Sequence, residues 1–152
     1  DGGRGLTARS LPVIGGCAPL ENPPAPEGDC DFSRERAMMS VDLTGTYPRG
    51  AGLRAYQRTL MAERREECVR LIDMLDLARD AAVAFRFVVA QKPQLSRDGM
   101  GLGNTWFGWQ GEPRLRTESV SSADFSGELW LVTLEYDQPA GRQMYSFDLE
   151  RT

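Results

Sequence analysis

The chain has 152 residues, of which 41% are hydrophobic and 26% charged, and its net charge is −4. A globular protein of this length can bury a sizeable core, so folding requires neither disulfides nor a metal. The acidic balance argues against non-specific nucleic-acid binding, which needs a basic surface, and no apolar stretch is long enough to predict a membrane span. We therefore predict no nucleic-acid partner and no membrane partner.

Counts of particular residue types narrow the chemistry further. The chain has no histidine, which removes the commonest general base and metal ligand. All its basic residues except Lys92 are arginines, which reflects either genome composition or recognition of carboxylate and sulfate groups. Cys17, Cys30 and Cys68 lack metal-ligand spacing, and we expect three reduced thiols unless an oxidising compartment pairs Cys17 with Cys30. We predict no metal and no cofactor, and the compartment stays open.

The first apolar stretch is "ARSLPVIGG" at residues 8–16. It reads as a short strand stopped by a glycine turn, because its glycines lack the spacing of a phosphate-binding loop and no helix follows. Residues 18–31 contain four of the nine prolines and show no periodicity. This composition predicts an irregular connector that is neither strand nor helix.

The region after the connector contains one predicted strand, followed by a segment that fits two interpretations. Residues 37–43 alternate between apolar and polar and predict a half-buried strand that ends in the turn "DLTGTYP". Residues 53–80 fit a helix of about 25 residues by propensity, but they fit a hairpin with "ERREE" at its tip nearly as well. Asp42 and Asp73 lie inside these strand patterns, and we expect both to face solvent on the open side of a sheet.

The remaining segments read as strands. "AAVAFRFVVA" is rich in valine and phenylalanine, residues 99–113 are aromatic and interrupted by glycines, and residues 129–149 form a clear hairpin around "DQPAG". Several strands joined by turns predict an all-β fold, an antiparallel β-sandwich. We expect residues 1–152 to form a single sandwich domain.

An aromatic cluster offers a candidate binding surface. Trp106, Phe107 and Trp109 lie close together in the sequence, with Trp130 further on. Core packing is the simpler interpretation. The alternative is a platform on which sugar rings stack, because flat apolar rings suit pyranose faces.

Several motifs occur in an order that resembles a known family. They are "LPVIGG", a Pro/Gly-rich insert, "SVDLTGTYP", "YQRTLMAERREECVRLIDMLDL" and "FRFVVAQKPQLSRDGMGL". Together they resemble the C-terminal β-sandwich region of heparinase II/III-like polysaccharide lyases, best over residues 8 to about 110. The resemblance implies that residues 54–77 form two antiparallel strands, and we adopt the hairpin on that basis.

The resemblance also carries expectations about function. Such lyases cleave acidic polysaccharides by β-elimination, with a catalytic tyrosine on an N-terminal helical domain that has no counterpart in this sequence. The sandwich of the family contributes a histidine in a "His-Asn" pair before the "LPVIGG"-like strand, and Arg9 and Ser10 stand at those positions. An arginine neutralises a carboxylate but cannot act as a neutral base near pH 7. We therefore predict no catalytic residue in this chain.

These observations leave three hypotheses. The first is a non-catalytic accessory sandwich that supports an upstream helical domain and lines a groove for an acidic polysaccharide. The second is a free-standing carbohydrate-binding module, and the third is the cleft wall of an active lyase. The candidate substrate-binding residues are Arg9, Ser10, Tyr47, Trp106 and Trp109.

Overall fold

The computed structural model describes residues 11–122 and 125–152. In these residues the helical structure is confined to two short 3-10 turns, at Thr44–Thr46 and Arg49–Ala51, and no helix there is long and apolar enough to cross a membrane. The strands in chain order are β1 (Val13–Ile14), β2 (Gly28–Phe32), β3 (Arg36–Asp42), β4 (Leu53–Glu63), β5 (Cys68–Leu77), β6 (Ala81–Val89), β7 (Gln94–Leu95), β8 (Gly99–Leu102), β9 (Thr105–Trp109), β10 (Arg114–Ser122), β11 (Phe125–Gln138) and β12 (Gly141–Arg151).

The strands form two antiparallel sheets that pack face to face. The larger sheet has eight strands in the order β2-β3-β4-β5-β12-β9-β8-β7, and the smaller has four in the order β1-β6-β11-β10. We call the face that each sheet turns towards the other its inner face, and the opposite face its outer face. The predicted all-β antiparallel sandwich is confirmed.

The segment with two readings is a hairpin. β4 and β5 pair antiparallel from Leu53↔Leu77 to Glu63↔Cys68, and the charged tip of the hairpin is exposed. The strand form prevails over helix propensity because alternation places Tyr56 and Leu75 on the buried inner face, where they are 1% and 2% exposed. The chain reverses with Glu67 in the left-handed region at φ 49°.

The end of the predicted connector is a strand, which corrects the prediction for residues 28–31. β2 pairs with β3 from Gly28↔Val41 to Phe32↔Ala37. Its sequence "GDCDF" has no β-branched residue, so local propensity gives no sign of a strand. The pairing comes from the open edge of β3, and all five residues of β2 are exposed.

The core lies between the two inner faces and is largely aromatic. The Phe85 ring, on β6, has its centroid 4.9 Å from that of Phe147 and 4.7 Å from that of Tyr145, both on β12. Val132 and Leu134 on β11 are fully buried against this group. Tilted ring contacts of this kind join the two sheets through apolar packing rather than through polar bonds.

The core does not extend across the whole larger sheet, which has twice as many strands as the smaller one. One row of directly paired residues on its inner face runs through Cys30, Met39, Leu60, Leu71, Phe147 and Trp109. Along this row the exposed fraction is 42% at Met39 and 38% at Leu60, but 1% at Phe147. Phe32, in the next row, is 72% exposed. We call Phe32, Met39 and Leu60 the apolar strip.

Candidate functional site

The first two predicted substrate-binding residues, Arg9 and Ser10, lie outside the described residues. The nearest described segment begins at Leu11 and runs into β1, which pairs with β6 at the edge of the smaller sheet. The role predicted for Arg9 and Ser10 stays a prediction.

Tyr47 follows the first 3-10 turn and points into the core. It is 7% exposed, its hydroxyl donates to the backbone carbonyl of Pro12 at 2.6 Å, and its ring centroid lies 5.9 Å from that of Tyr56. Burial raises the pKa of Tyr47 well above its usual value. In the described structure this side chain therefore fastens the "DLTGTYP" turn to the segment before β1.

The predicted aromatic cluster is divided between two faces of one strand. On β9, Phe107 and Trp109 point inward, and Trp109 is 5% exposed with its indole N–H donating to the Arg97 carbonyl at 3.1 Å. Trp106 alternates with them and lies half-buried on the outer face. Trp109 is thus a core residue, and Trp106 is the member of the cluster that a ligand on the outer face can reach.

The Trp106 ring lies against a floor of glycines. A Cβ added to Gly99 would come within 2.3 Å of the Trp106 ring, and one added to Gly108 within 3.2 Å of the indole nitrogen. Gly99 and Gly108 therefore have a packing reason, because their missing side chains let an indole lie close to the sheet.

A buried polar cluster lies on the inner face of the larger sheet. Asp73 is fully buried, which corrects the prediction that it faces solvent. Arg58 donates to both carboxylate oxygens of Asp73 at 2.7 Å, and the Tyr56 hydroxyl donates to one of them at 3.0 Å. A buried carboxylate without such partners would be strongly destabilising.

Burial and the neighbouring charges change the pKa values of Tyr56 and Arg58. Burial, followed by the charge of Asp73, raises the pKa of Tyr56 far above its usual value. Burial lowers the pKa of Arg58, but the hydrogen bonds to Asp73 and its charge outweigh that effect, and the pKa rises. The cluster is therefore an ion pair with a neutral tyrosine, an arrangement that holds three strand positions together and offers no proton to a substrate.

Sequence reasoning missed this cluster although a signal was present. Once the "ERREE" tip is accepted as the hairpin turn, the register places Arg58 directly opposite Asp73. Residues that face each other in this way lie on the same side of the sheet. Opposite charges at paired positions were the sign of an ion pair, but alternation alone could not tell which side is buried.

A groove of about 480 Å³ lies on the outer face of the larger sheet. Its floor is a row of paired residues from β3 to β12, running through Asp42, Gln57, Met74 and Met144. Arg142 and Asp76 form the neighbouring row, and Met74 and Met144 are 49% and 65% exposed. The volume lies within the range of small-molecule sites, and the lining mixes apolar thioethers with amide, carboxylate and guanidinium groups. As predicted, Asp42 is exposed here.

The described residues contain no group of three or more acidic or thiol side chains arranged to hold a metal ion. The three cysteines are all free thiols, with Cys17 half-buried, Cys30 exposed and Cys68 buried.

The sequence matches no protein-family profile and no curated protein. Solved structures do share the fold. The heparan sulfate lyase HepC from Pedobacter heparinus superposes with a TM-score of 0.61 and 12% identity, and a mutant of that lyase with a TM-score of 0.63 and 10% identity. Each match covers 95% of this chain and 24% of the lyase chain, so the chain spans about a quarter of the length of that enzyme. At this identity the similarity shows the fold: a β-sandwich of the kind found in a heparinase-like lyase.

Proposed function

We propose that this chain is a non-catalytic accessory β-sandwich of a heparinase II/III-like polysaccharide lyase. In this proposal it supports a helical domain that precedes it in the parent protein and lines a groove for an acidic polysaccharide. The fold similarity to heparan sulfate lyase HepC supports the proposal, as do the motifs that run from "LPVIGG" to "GMGL".

The apolar strip is the observation that carries the supporting role. Phe32, Met39 and Leu60 are exposed on the inner face of the larger sheet, whose central strands carry core residues of the sandwich. Apolar side chains grouped on one side of a protein mark a surface that a partner covers. The helical domain implied by the resemblance is the partner to which we assign this surface.

The chemistry of the described residues supports a non-catalytic role. The chain has no histidine, and the hydroxyls of Tyr47 and Tyr56 are buried and donate to other groups. Their raised pKa values keep both phenols protonated, so neither serves as a base that removes a proton from a sugar ring.

A carbohydrate-binding module is the second candidate, and the outer face of the larger sheet favours it. The groove over Met74 and Met144 and the half-buried Trp106 lie on that face. A module that binds by stacking needs at least two rings presented together. Phe107 and Trp109 point to the opposite face, so the cluster supplies Trp106 alone, and this arrangement fits the supporting role better.

Oxidation of methionines by dilute hydrogen peroxide, read by mass spectrometry, distinguishes the two candidates. Met39 lies in the apolar strip at 42% exposure, whereas Met74 and Met144 lie in the outer groove at 49% and 65%. The chain alone and the parent protein are oxidised side by side. We expect Met39 to be protected in the parent and Met74 and Met144 to react equally in both.

The internal comparison makes the outcome decisive. Equal oxidation of Met39 in both samples would contradict docking on the apolar strip. Protection of Met74 and Met144 by added acidic oligosaccharide in the chain alone, together with equal oxidation of Met39 in both samples, would favour the binding module. Met100, which is fully buried, reports whether either sample has lost its fold.

The cleft-wall hypothesis rests on Arg9 and has its own test. Arg9→Ala is introduced into the parent protein, and formation of unsaturated uronate products is measured. Under the proposal the variant keeps wild-type turnover, because the arginine performs no proton transfer. A loss of turnover at saturating substrate and unchanged stability would give Arg9 a catalytic role and favour the cleft-wall hypothesis.

A further inference from the structure

A second concave surface lies on the outer face of the smaller sheet, on the opposite side of the sandwich from the groove over Met74. It is a cavity of about 490 Å³ between β6, β11 and β10. The lining residues are Arg86, Arg116, Thr117, Glu118, Leu131 and Thr133. No motif in the sequence points to this surface, because its residues come from three separate strands.

Arg86 is the unusual residue of this cavity. Its Nε is buried and has no hydrogen-bond partner among the described residues, and none of their carboxylates lies within ion-pair distance of its guanidinium. A buried donor without a partner carries a desolvation cost, even on an arginine that is otherwise half-buried. Arg86 is half-buried and lines the cavity, so an arginine with an unpaired donor lies beside a space that a ligand can occupy.

The neighbouring strands place further donors beside Arg86. Thr133 on β11 pairs directly with Arg86 on one side and with Arg116 on the other, so the three residues form one row on the outer face. Directly paired Cα atoms lie about 5 Å apart, and arginine side chains are long enough to converge over the threonine. Arg116 is 74% exposed and has a long contact of 3.4 Å with Glu135. Two guanidinium groups around a hydroxyl form a site for an oxyanion.

Glu118 limits what the site accepts. Its carboxylate lines the same cavity, and Glu118 pairs with Leu131, one step along the sheet from the Arg116–Thr133 pair. A carboxylate there repels an anion. A free ion is therefore expected to bind there less well than a ligand that makes additional contacts.

We propose that the row Arg86–Thr133–Arg116 binds a sulfate or carboxylate group carried on a sugar of an acidic glycan. The choice of a glycan rests on the proposed function, whereas the oxyanion site follows from the cavity alone. This surface lies outside both the apolar strip and the groove over Met74, and it adds a second point of contact for a long polysaccharide.

Nuclear magnetic resonance titration of the chain tests the proposal. The signals are the Arg86 Nε–H and the backbone amide of Thr133. The probes are sodium sulfate, a sulfated heparan sulfate hexasaccharide and a hyaluronan hexasaccharide that carries carboxylates only, all at an ionic strength fixed with sodium chloride. We expect saturable shifts with at least one hexasaccharide, at concentrations about tenfold lower than free sulfate requires.

The comparison between the probes identifies which chemical group of the sugar the cavity binds. Saturation by the sulfated sugar alone assigns a sulfate site, and saturation by both sugars assigns a site that accepts either oxyanion. Equal binding of free sulfate and of the sugars would overturn the glycan assignment, and so would the absence of saturable shifts with both hexasaccharides. Failure of the methionine experiment above leaves this result unaffected, because no residue is shared.

Variants distinguish binding at this site from a general effect of the protein's charge. Arg86→Gln is expected to weaken hexasaccharide binding about tenfold, since a charge-assisted bond is lost. Glu118→Gln is expected to strengthen it severalfold. Arg65→Gln, which removes the same charge from an exposed arginine at the hairpin tip, is the matched control and leaves binding unchanged. If Arg86→Gln does not fold, Thr133→Val takes its place, and unchanged binding in that variant would contradict the proposal.

Discussion

At the scale of single residues, buried polar groups decide how the inner face of the larger sheet is held together. Asp73 satisfies its carboxylate with Arg58 and Tyr56, and Tyr47 satisfies a backbone carbonyl at Pro12. The Tyr145 hydroxyl, by contrast, is buried without a hydrogen-bond partner among the described residues. The same residue type therefore stabilises the protein at one position and brings a desolvation cost at another.

This contrast predicts opposite effects for two matched substitutions. Tyr47→Phe removes the donor to Pro12 and leaves a buried carbonyl unpaired, so we expect the free energy of unfolding to fall by about 1–3 kcal/mol. Tyr145→Phe removes a hydroxyl that has no partner, and we expect a change of less than about 1 kcal/mol, in the stabilising direction. Urea denaturation of both variants measures the two values.

Tyr47 and Tyr145 serve as controls for each other because both rings are buried in the same core. A loss of stability in Tyr145→Phe equal to that in Tyr47→Phe would show that the Tyr145 hydroxyl is paired after all.

At the scale of strands, β8 and β9 show how glycine shapes a surface. The indole of Trp106 lies on the positions where Gly99 and Gly108 lack a side chain, whereas Gly101, on β8 with Gly99, has no close contact with that ring. A Cβ at Gly101 would meet its nearest atom, on Gln94, at 3.7 Å, which is an ordinary contact. The packing requirement therefore belongs to particular glycines and not to the glycine-rich segment as a whole.

Substitution of Gly99 and of Gly101 tests that distinction. Gly99→Ala places a Cβ 2.3 Å from the Trp106 ring and 2.7 Å from the Phe107 carbonyl oxygen. We expect it to lower the free energy of unfolding by about 2–3 kcal/mol. Gly101→Ala is the control, with an expected change of less than about 1 kcal/mol. Thermal unfolding of both variants provides the comparison, and equal midpoints would contradict the packing of Trp106 on Gly99.

The same scale shows how much of the molecule the sequence predicts. Alternation predicted β3 and the β11–β12 hairpin, and the heparinase-like motifs decided the β4–β5 hairpin that propensity left open. β2 was missed because an existing strand edge, and not its own residues, makes it a strand. Asp73 was placed on the wrong side because alternation defines two faces of a strand without saying which face is buried. The difference in width between the two sheets also cannot be inferred from residue patterns.

At the scale of the whole molecule, all four tyrosines contribute to one alkaline response. Burial raises the pKa of Tyr136 to about 12 and raises those of Tyr47, Tyr56 and Tyr145 further. In the unfolded chain a tyrosine loses its proton at about pH 10. Between these values the unfolded state binds fewer protons than the folded state, so stability is complete below the unfolded pKa and declines as the pH rises.

We therefore expect unfolding to become easier above about pH 10, by roughly 1 kcal/mol per tyrosine for each pH unit. Urea midpoints measured in a series of alkaline buffers, with tyrosinate absorbance recorded on the folded protein, test this expectation. Tyr145→Phe should reduce the slope by about a quarter. Tyrosinate absorbance that rises near pH 10 while the protein stays folded would contradict the raised pKa values.

The unequal width of the two sheets has a consequence for the solubility of the chain on its own. β2 is an edge strand, and its inner side continues the apolar strip through Phe32. Open edges beside apolar surface are where two copies of a protein pair and begin to aggregate. The other side of β2 carries Asp29 and Asp31, both exposed. We expect these two carboxylates to keep copies of the chain apart, and we expect Asp29→Asn with Asp31→Asn to promote self-association along this edge.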